Sequence, residues 1–284
     1  MPGVAIGAMA FLGLIVGSFL NVVILRLPAR LLHSWREQSR EILEIEGAAD
    51  GVSARPPGIV REPSHCPHCK HQLSAFENIP VVSWLALRGR CRHCGTKISV
   101  QYPLVELITA IASGVIAWKL GVTWQAAAGL LLSWSLIALA GIDIRTQLLP
   151  DQITLPLLWL GLLAALIPLF VDTPASILGA AVGYLSLWSV YWLFKLATGK
   201  EGMGYGDFKL LGALGAWMGP WALLPIIVVS SLIGALVGGA MLALQGRDRA
   251  TPIPFGPFLA AAGWVQFIFG TRILHFYQSL FGFA

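Results

Sequence analysis

Apolar runs of membrane length recur along almost the whole chain, at residues 4–27, 103–119, 123–142, 153–171, 175–197, 221–245 and 256–280. A helix needs about 20 such residues to cross the hydrocarbon core, where every backbone N–H and C=O must find its partner inside the protein. One further run, 208–219, is shorter, and can be a thin span, a re-entrant segment or a half-helix. Counting it gives about eight crossings, and leaving it out gives about seven. The runs carry Gly, Leu and Ala throughout and show no ten-residue alternation, which argues against a β-barrel. With 56% hydrophobic and 12% charged residues, a chain of 284 residues has too little polar surface for a water-soluble globule. The predicted fold is an all-α polytopic membrane protein.

Charge placement gives this bundle a direction. The first run has no Lys or Arg before Arg26, unlike the basic start of a cleavable signal peptide, so it reads as a retained helix. Arg26, Arg30, Arg36 and Arg40 follow it, which by the positive-inside rule places residues 28–102 in the cytoplasm and the N-terminus outside. If 208–219 crosses, the inner connections 143–152, 198–207 and 246–255 hold Arg145, Lys200, Arg247 and Arg249. The outer connections 120–122, 172–174 and the turn near Pro220 hold no Lys or Arg. Without that crossing Arg247 and Arg249 would fall outside, so the charges favour eight spans. The net charge of +5 follows from this topology; it points to a lipid bilayer and calls for no nucleic acid.

Residues 28–102 form the one stretch long and polar enough for a separate small domain, inserted between a first transmembrane helix (1–27) and a membrane core (103–284). All four cysteines lie in it, as Cys66-Pro67-His68-Cys69 and Cys91-Arg92-His93-Cys94. Two Cys-x-x-Cys knuckles about twenty residues apart, just beyond the usual separation, are a zinc-ribbon signal. Four thiolates suit a closed, structural, tetrahedral Zn(II). Two disulfides or an iron–sulfur site are the rival readings; the cytoplasmic placement disfavours the first and the short paired knuckles the second. His65, His68, His71 and His93 crowd the same knuckles and read as solvent-facing residues of a basic ribbon. Ser34 to Ala49 reads as a charged amphipathic helix, and Gly51 to Pro63 as a linker.

Few of the fourteen acids fall at or within apolar segments: Glu106, Asp143, Asp151, Asp172 and Asp207. An acid at the edge of lipid is costly enough to suggest function. Asp207 closes Gly204-Tyr205-Gly206-Asp207, ahead of Phe208-Lys209, and its glycines allow close backbone approach to another chain. Asp172 reads as an interfacial turn residue, Asp151 as a helix N-cap, and Glu106 as an acid favoured near a helix N-terminus. Asp143 ends an apolar segment, where a carboxylate opposes the helix dipole, so something else must hold it there. In the eight-span arrangement Asp143 and Asp207 emerge on one face. A pair of aspartates sharing a proton can activate water and protonate a carbonyl oxygen, which hydrolyses a peptide bond with no metal in the peptidase site. The chain has no His-Glu-x-x-His pair and no Gly-x-Ser-x-Gly elbow, and a Ser–Lys protease built on Ser18 or Ser83 has no specific signal behind it.

In this order the motifs resemble the type IV prepilin leader peptidases. They are Gly17-Ser18-Phe19-Leu20-Asn21-Val22, the two knuckles, Glu77-Asn78-Ile79-Pro80, Ile98-Ser99 with Tyr102-Pro103 and Glu106, Asp143 with Pro150-Asp151, and Gly204-x-Gly206-Asp207 followed by Phe208-Lys209. The resemblance implies a bifunctional enzyme of the bacterial inner membrane, serving type IV pilus assembly or type II secretion. Its substrates would be prepilins and pseudopilins, cut on the cytoplasmic side after the glycine that ends a short basic leader. The new N-terminal residue would then be methylated with S-adenosylmethionine as donor. Carried onto this chain, the resemblance makes Asp143 and Asp207 the catalytic pair, with Gly204, Gly206 and Lys209 in the active-site loop. It links methylation to the cytoplasmic part and to Gly95, and Glu77 and Glu106 are further candidates. No Rossmann glycine string follows a strand, so the donor binds in another way. Two other classes compete: a transporter using the same acids as an ion relay, which would be expected to show repeated halves, and a zinc-ribbon membrane scaffold that needs no acids.

Overall fold

Helix α1 spans Pro2–Ile42 and runs without a break through Pro28, so the apolar first span and the charged segment after it are one element. The proline removes one backbone hydrogen bond, but a strap of chain laid along the helix steadies this stretch. Arg26 donates to the carbonyls of Gly58 (2.6 Å), Glu62 (2.9 Å) and Pro63 (3.0 Å), and Arg30 to that of Pro56 (3.3 Å). The computed structural model describes residues 2–43, 55–245 and 253–281, with residues 2, 242, 244, 245 and 271–281 as backbone only. The end of the expected amphipathic helix (44–49), the first part of the expected linker, and Arg247 and Arg249 lie outside the described residues.

The chain divides into two compact units, Met1–Trp118 and Lys119–Ala284. In the first, α2 (Val82–Ala86) is a short turn of helix, and α3 (Gln101–Leu120) packs antiparallel on α1. The seam is made of small residues. A Cβ on Gly13 would lie 2.8 Å from Ala110 Cα, and one on Gly17 would lie 2.7 Å from Glu106 Cα. Asn21 reaches the carbonyl of Tyr102 at 3.0 Å. Close approach of this kind replaces the hydrophobic effect as the source of helix association in lipid.

The second unit contains α4 (Trp124–Thr146), α5 (Asp151–Ala164), α6 (Thr173–Thr198), α7 (Tyr205–Met218), α8 (Leu223–Gln245) and α9 (Gly256–Phe281). Thr123 caps α4 by accepting from Ala126 N–H, and Asp172 caps α6 by accepting from Ala175 N–H. The expected run 153–171 is a shorter helix: α5 stops at Ala164 and turns follow, because Pro168 cannot continue the hydrogen-bond ladder.

Short α7 is the hub of this unit, and Leu210, Leu211, Ala213, Leu214 and Ala216 on it are fully buried. Any side chain at Gly179 of α6 would collide with the Gly215 carbonyl of α7, and a Cβ on Gly183 would lie 2.6 Å from that of Leu211. Ser176 donates to Ala216 O (2.6 Å), and Trp217 Nε1 donates to Leu157 O (2.8 Å), tying α6 and α5 to α7. Among the described residues there is no sheet, only the isolated bridges His65–Gln72 and Arg90–Lys97. Among the described residues five helices are long and apolar enough to cross a membrane, and α5 and the apolar part of α9 are shorter.

Candidate active site and thiol centre

Asp143 sits in the last turn of α4, and its carbonyl accepts from Gln147 N–H at 2.8 Å as the chain turns left-handed at Gln147. Its carboxylate, on a residue 5% exposed, is held by a backbone donor: Gly256 N–H, at the start of α9, lies 2.9 Å from Oδ2. An opposing helix N-terminus supplies a partner that the dipole of α4 itself cannot. The approach leaves no room for a side chain, since a Cβ on Gly256 would be 2.7 Å from that oxygen. Asp207 lies in the first turn of α7, 7% exposed, with its N–H donating to the Gly204 carbonyl at 3.2 Å. The two carboxylates lie within electrostatic reach of each other.

The other residues of the Asp207 motif have distinct positions. Gly204 is the residue before the first turn of α7, and a Cβ there would meet only Asp207 Oδ2 at 3.7 Å. Gly206 faces Leu149 so closely that a Cβ would lie 2.6 Å from the leucine Cβ. Lys209 reaches across to Asp151, with Nζ 2.7 Å from Oδ1 and 2.8 Å from Oδ2. This corrects the expected capping role of Asp151. Pro150 occupies the cap position, Asp151 is the first helical residue, and its carboxylate is taken by Lys209.

In the first unit the four cysteines converge, with all four sulfurs within 4.8 Å of one another. Cys66 and Cys94 are separated by 3.8 Å, and Cys69 and Cys91 by 4.0 Å. These are thiols and not disulfides, whose sulfurs would be about 2.05 Å apart. A tetrahedron of sulfurs around zinc has edges of about 3.8 Å, so the cluster can hold that ion. The knuckles share one design. Lys70 N–H donates to Cys66 O and Gly95 N–H to Cys91 O; Cys66 N–H donates to His71 O and Cys91 N–H to Thr96 O. Both turns close through a left-handed residue, Lys70 at φ 60 and Gly95 at φ 67. The Thr96 hydroxyl and N–H hold the Cys94 thiol down to about 6, which favours the thiolate a metal needs. His68 and His93 are exposed, as expected of solvent-facing residues, and His71 lies ring against ring with His93, their centroids 3.7 Å apart.

Glu77 and Glu106 are both engaged within this unit, in different ways. Glu77 accepts from the N–H (2.9 Å) and hydroxyl (2.8 Å) of Ser74, which staple the turn and hold its carboxyl below the usual range. Glu106 is buried in α3 and accepts from Val81 N–H at 2.7 Å.

Residues 11–120 match the bacterial peptidase A24 N-terminal domain, and residues 130–239 the type IV leader peptidase family. A relative from Xanthomonas campestris pv. campestris, named prepilin leader peptidase/N-methyltransferase, is 55% identical over 281 residues, covering 99% of this chain and 97% of its own. The chain belongs to the type IV leader peptidase family. Relatives of the same name in Stutzerimonas stutzeri (55% identical, 92% of this chain and 90% of theirs) and Pseudomonas aeruginosa (53%, 96% and 93%) agree. No solved structure matches the chain significantly.

Against the family motifs, sequence reasoning missed two residues that shape the Asp143 surroundings. Gly256, in Phe255-Gly256-Pro257, carries the signal of a glycine and proline opening a helix, but nothing local assigns its N–H to Asp143. Leu149 approaches both Gly206 and Gly256, with its Cδ2 3.1 Å from a Cβ built on the latter, and one leucine among many in an apolar chain has no signal at all.

Proposed function

We propose that this protein cleaves the leader of type IV prepilins and pseudopilins after a glycine at the cytoplasmic face of the bacterial inner membrane, and then N-methylates the new N-terminus. The observation that supports the reading is the burial of both Asp143 and Asp207 within electrostatic reach of each other, with Leu149 packed against Gly206 beside one and Gly256 beside the other, in a chain that belongs to a leader peptidase family. One carboxylate takes a proton from water while the other protonates the scissile carbonyl oxygen. Gly256 N–H orients the Asp143 carboxylate, the bare, exposed backbone of Gly204 lets an extended peptide lie against the site, and Gly206 lets the start of α7 close on Leu149. Lys209 acts by fixing the start of α7 against α5 through Asp151. No metal enters this step.

The four cysteines hold a structural Zn(II), supported by sulfur spacings close to those of a tetrahedral site. S-adenosylmethionine supplies the methyl group as a consumed substrate. Gly95, Glu77 and Glu106 are the residues linked to that half-reaction, which belongs to the cytoplasmic part of residues 28–102 and the adjoining span. Eight crossings, with the N-terminus outside, suit the placement of Arg26, Arg30, Arg36, Arg40 and Lys200.

The test replaces Asp143 or Asp207 by Asn in turn and follows precursor cleavage in membranes at matched protein levels. Each variant is expected to lose at least about 100-fold in rate, the scale of a general acid or base. Unchanged cleavage in either one sinks the dyad.

A further inference from the structure

The first unit buries a carboxylate that no cation among the described residues neutralises. Glu106 is 6% exposed, bonds to Val81 N–H at 2.7 Å and to the Ser18 side chain, and among the described residues pairs with no Lys, Arg or His. A carboxylate placed so is costly, and its two oxygens accept more than these donors provide.

One turn further along the same α1–α3 seam lies a second unmet acceptor. Asn21 is 1% exposed, and its Nδ2 donates to the carbonyls of Gly17 (3.3 Å) and Tyr102 (3.0 Å). Two carbonyls can be met only by the nitrogen, which fixes the amide orientation and leaves Oδ1 buried with no partner among the described residues. Gly17 faces Glu106 and Asn21 faces Tyr102, so both acceptors belong to successive contacts of one interface.

A third observation concerns the loop that meets Glu106. Val81 has φ 61 and ψ −48, an outlier for a β-branched residue, in a tight three-residue turn closed by Val82 N–H donating to Pro80 O at 2.6 Å. Backbone strain persists only where the surroundings impose it, and the Glu106 carboxylate is the group that grips this turn. The demand left over is for N–H donors carrying positive charge. A primary ammonium group supplies three such donors.

We propose that Glu106 receives the α-ammonium group of the newly cleaved N-terminus and takes its proton, with Asn21 Oδ1 as the second acceptor. The proposal rests on the methyltransferase reading above and gives it a base. Most α-amino groups are protonated at neutral pH and have no lone pair to offer. Proton transfer to the Glu106 carboxylate leaves a neutral amine. Its lone pair forms the new N–C bond as the methyl carbon's bond to sulfur breaks, with that electron pair returning to sulfur. The product is a secondary ammonium, and the proton on Glu106 passes to water. The donor's own amino group is the other primary ammonium in the reaction, and the experiment separates the two.

The experiment uses the full-length protein and a peptide that already begins at the mature N-terminal residue. Glu106→Gln keeps the size and an oxygen for Val81 N–H while removing the charge. Methyl transfer is expected to fall about 100-fold in kcat, and the residual rate to climb with pH toward the amine pKa. Cleavage of intact precursor, which uses other residues, is expected to persist. Without donor, the wild-type protein should bind the free-amine peptide more tightly than its N-acetylated form, and the variant should lose that preference. A variant that methylates at the wild-type rate overturns the proposal, as does one that loses cleavage and methylation in step. Weakened binding of S-adenosylmethionine with the peptide preference intact would assign Glu106 to the donor and also overturn it. A wild-type protein that transfers no methyl group to the peptide overturns the methyltransferase reading itself, and the proposal with it.

Discussion

At the residue scale, Asp143 shows how far a sequence argument reaches. An acid at the C-terminal end of a helix is opposed by the dipole, so the sequence alone says that something must hold it. What holds it is the amide of a residue 113 positions along the chain, and a backbone N–H carries no signature in the alphabet of side chains. Gly256→Ala is therefore an informative change. Its Cβ would press on Asp143 Oδ2 from 2.7 Å and on Leu149 Cδ2 from 3.1 Å, and relief requires the carboxylate or the start of α9 to move. Overpacking of this kind costs about 1–3 kcal/mol, which corresponds to roughly 5- to 150-fold if it falls on the transition state. Measured kcat/KM for precursor cleavage is expected to drop in that range while the protein still inserts and accumulates. A variant with wild-type kcat/KM would show that the close approach does not set the geometry of Asp143.

At the element scale, motifs with fixed short spacing were the most legible. The two knuckles bring their sulfurs together as their spacing promised. The length of α5 was not legible, because Pro168 sits inside an unbroken apolar run and stops the helix without interrupting the hydropathy. The continuity of α1 was not legible either: Pro28 sits at a boundary in composition, yet Arg26 and Arg30 strap chain along a continuous helix. The parallel between the knuckles separates two roles of Gly95. Its counterpart Lys70 carries a side chain at φ 60, and nothing lies within 4 Å of a Cβ built on Gly95. Gly95→Asn should therefore fold at a cost of about 1 kcal/mol, since asparagine tolerates this region. The variant is expected to keep about one zinc per chain and its cleavage activity, while methyl transfer falls at least about tenfold through misplacement at the site. Loss of zinc together with methylation would mean that Gly95 acts only by closing its knuckle.

At the scale of the whole molecule, the question is how a bundle with short central helices spans a bilayer. Helix α7 has 14 residues. At about 1.5 Å each it reaches about 21 Å, against a hydrocarbon core of about 30 Å. Lipid would punish that shortfall on an exposed helix, but α7 is surrounded by protein along its length, where short or broken segments keep their backbone groups satisfied. Its burial explains why hydropathy left the segment ambiguous: a helix that never faces lipid needs no particular length. Charge supplies what length does not, because Lys200 and Glu201 precede α7, whereas the Pro220–Trp221 turn after it carries no charge. Crossing of α7 predicts opposite sides for the two ends. Cysteine placed at Glu201 should react with a membrane-impermeant maleimide only after permeabilisation. Cysteine at Trp221, a position 89% exposed, should react in intact spheroplasts, each compared with the parent protein. Labelling of both positions on one side would make α7 re-entrant, remove one crossing from the eight, and reverse the side assigned to every helix that follows it.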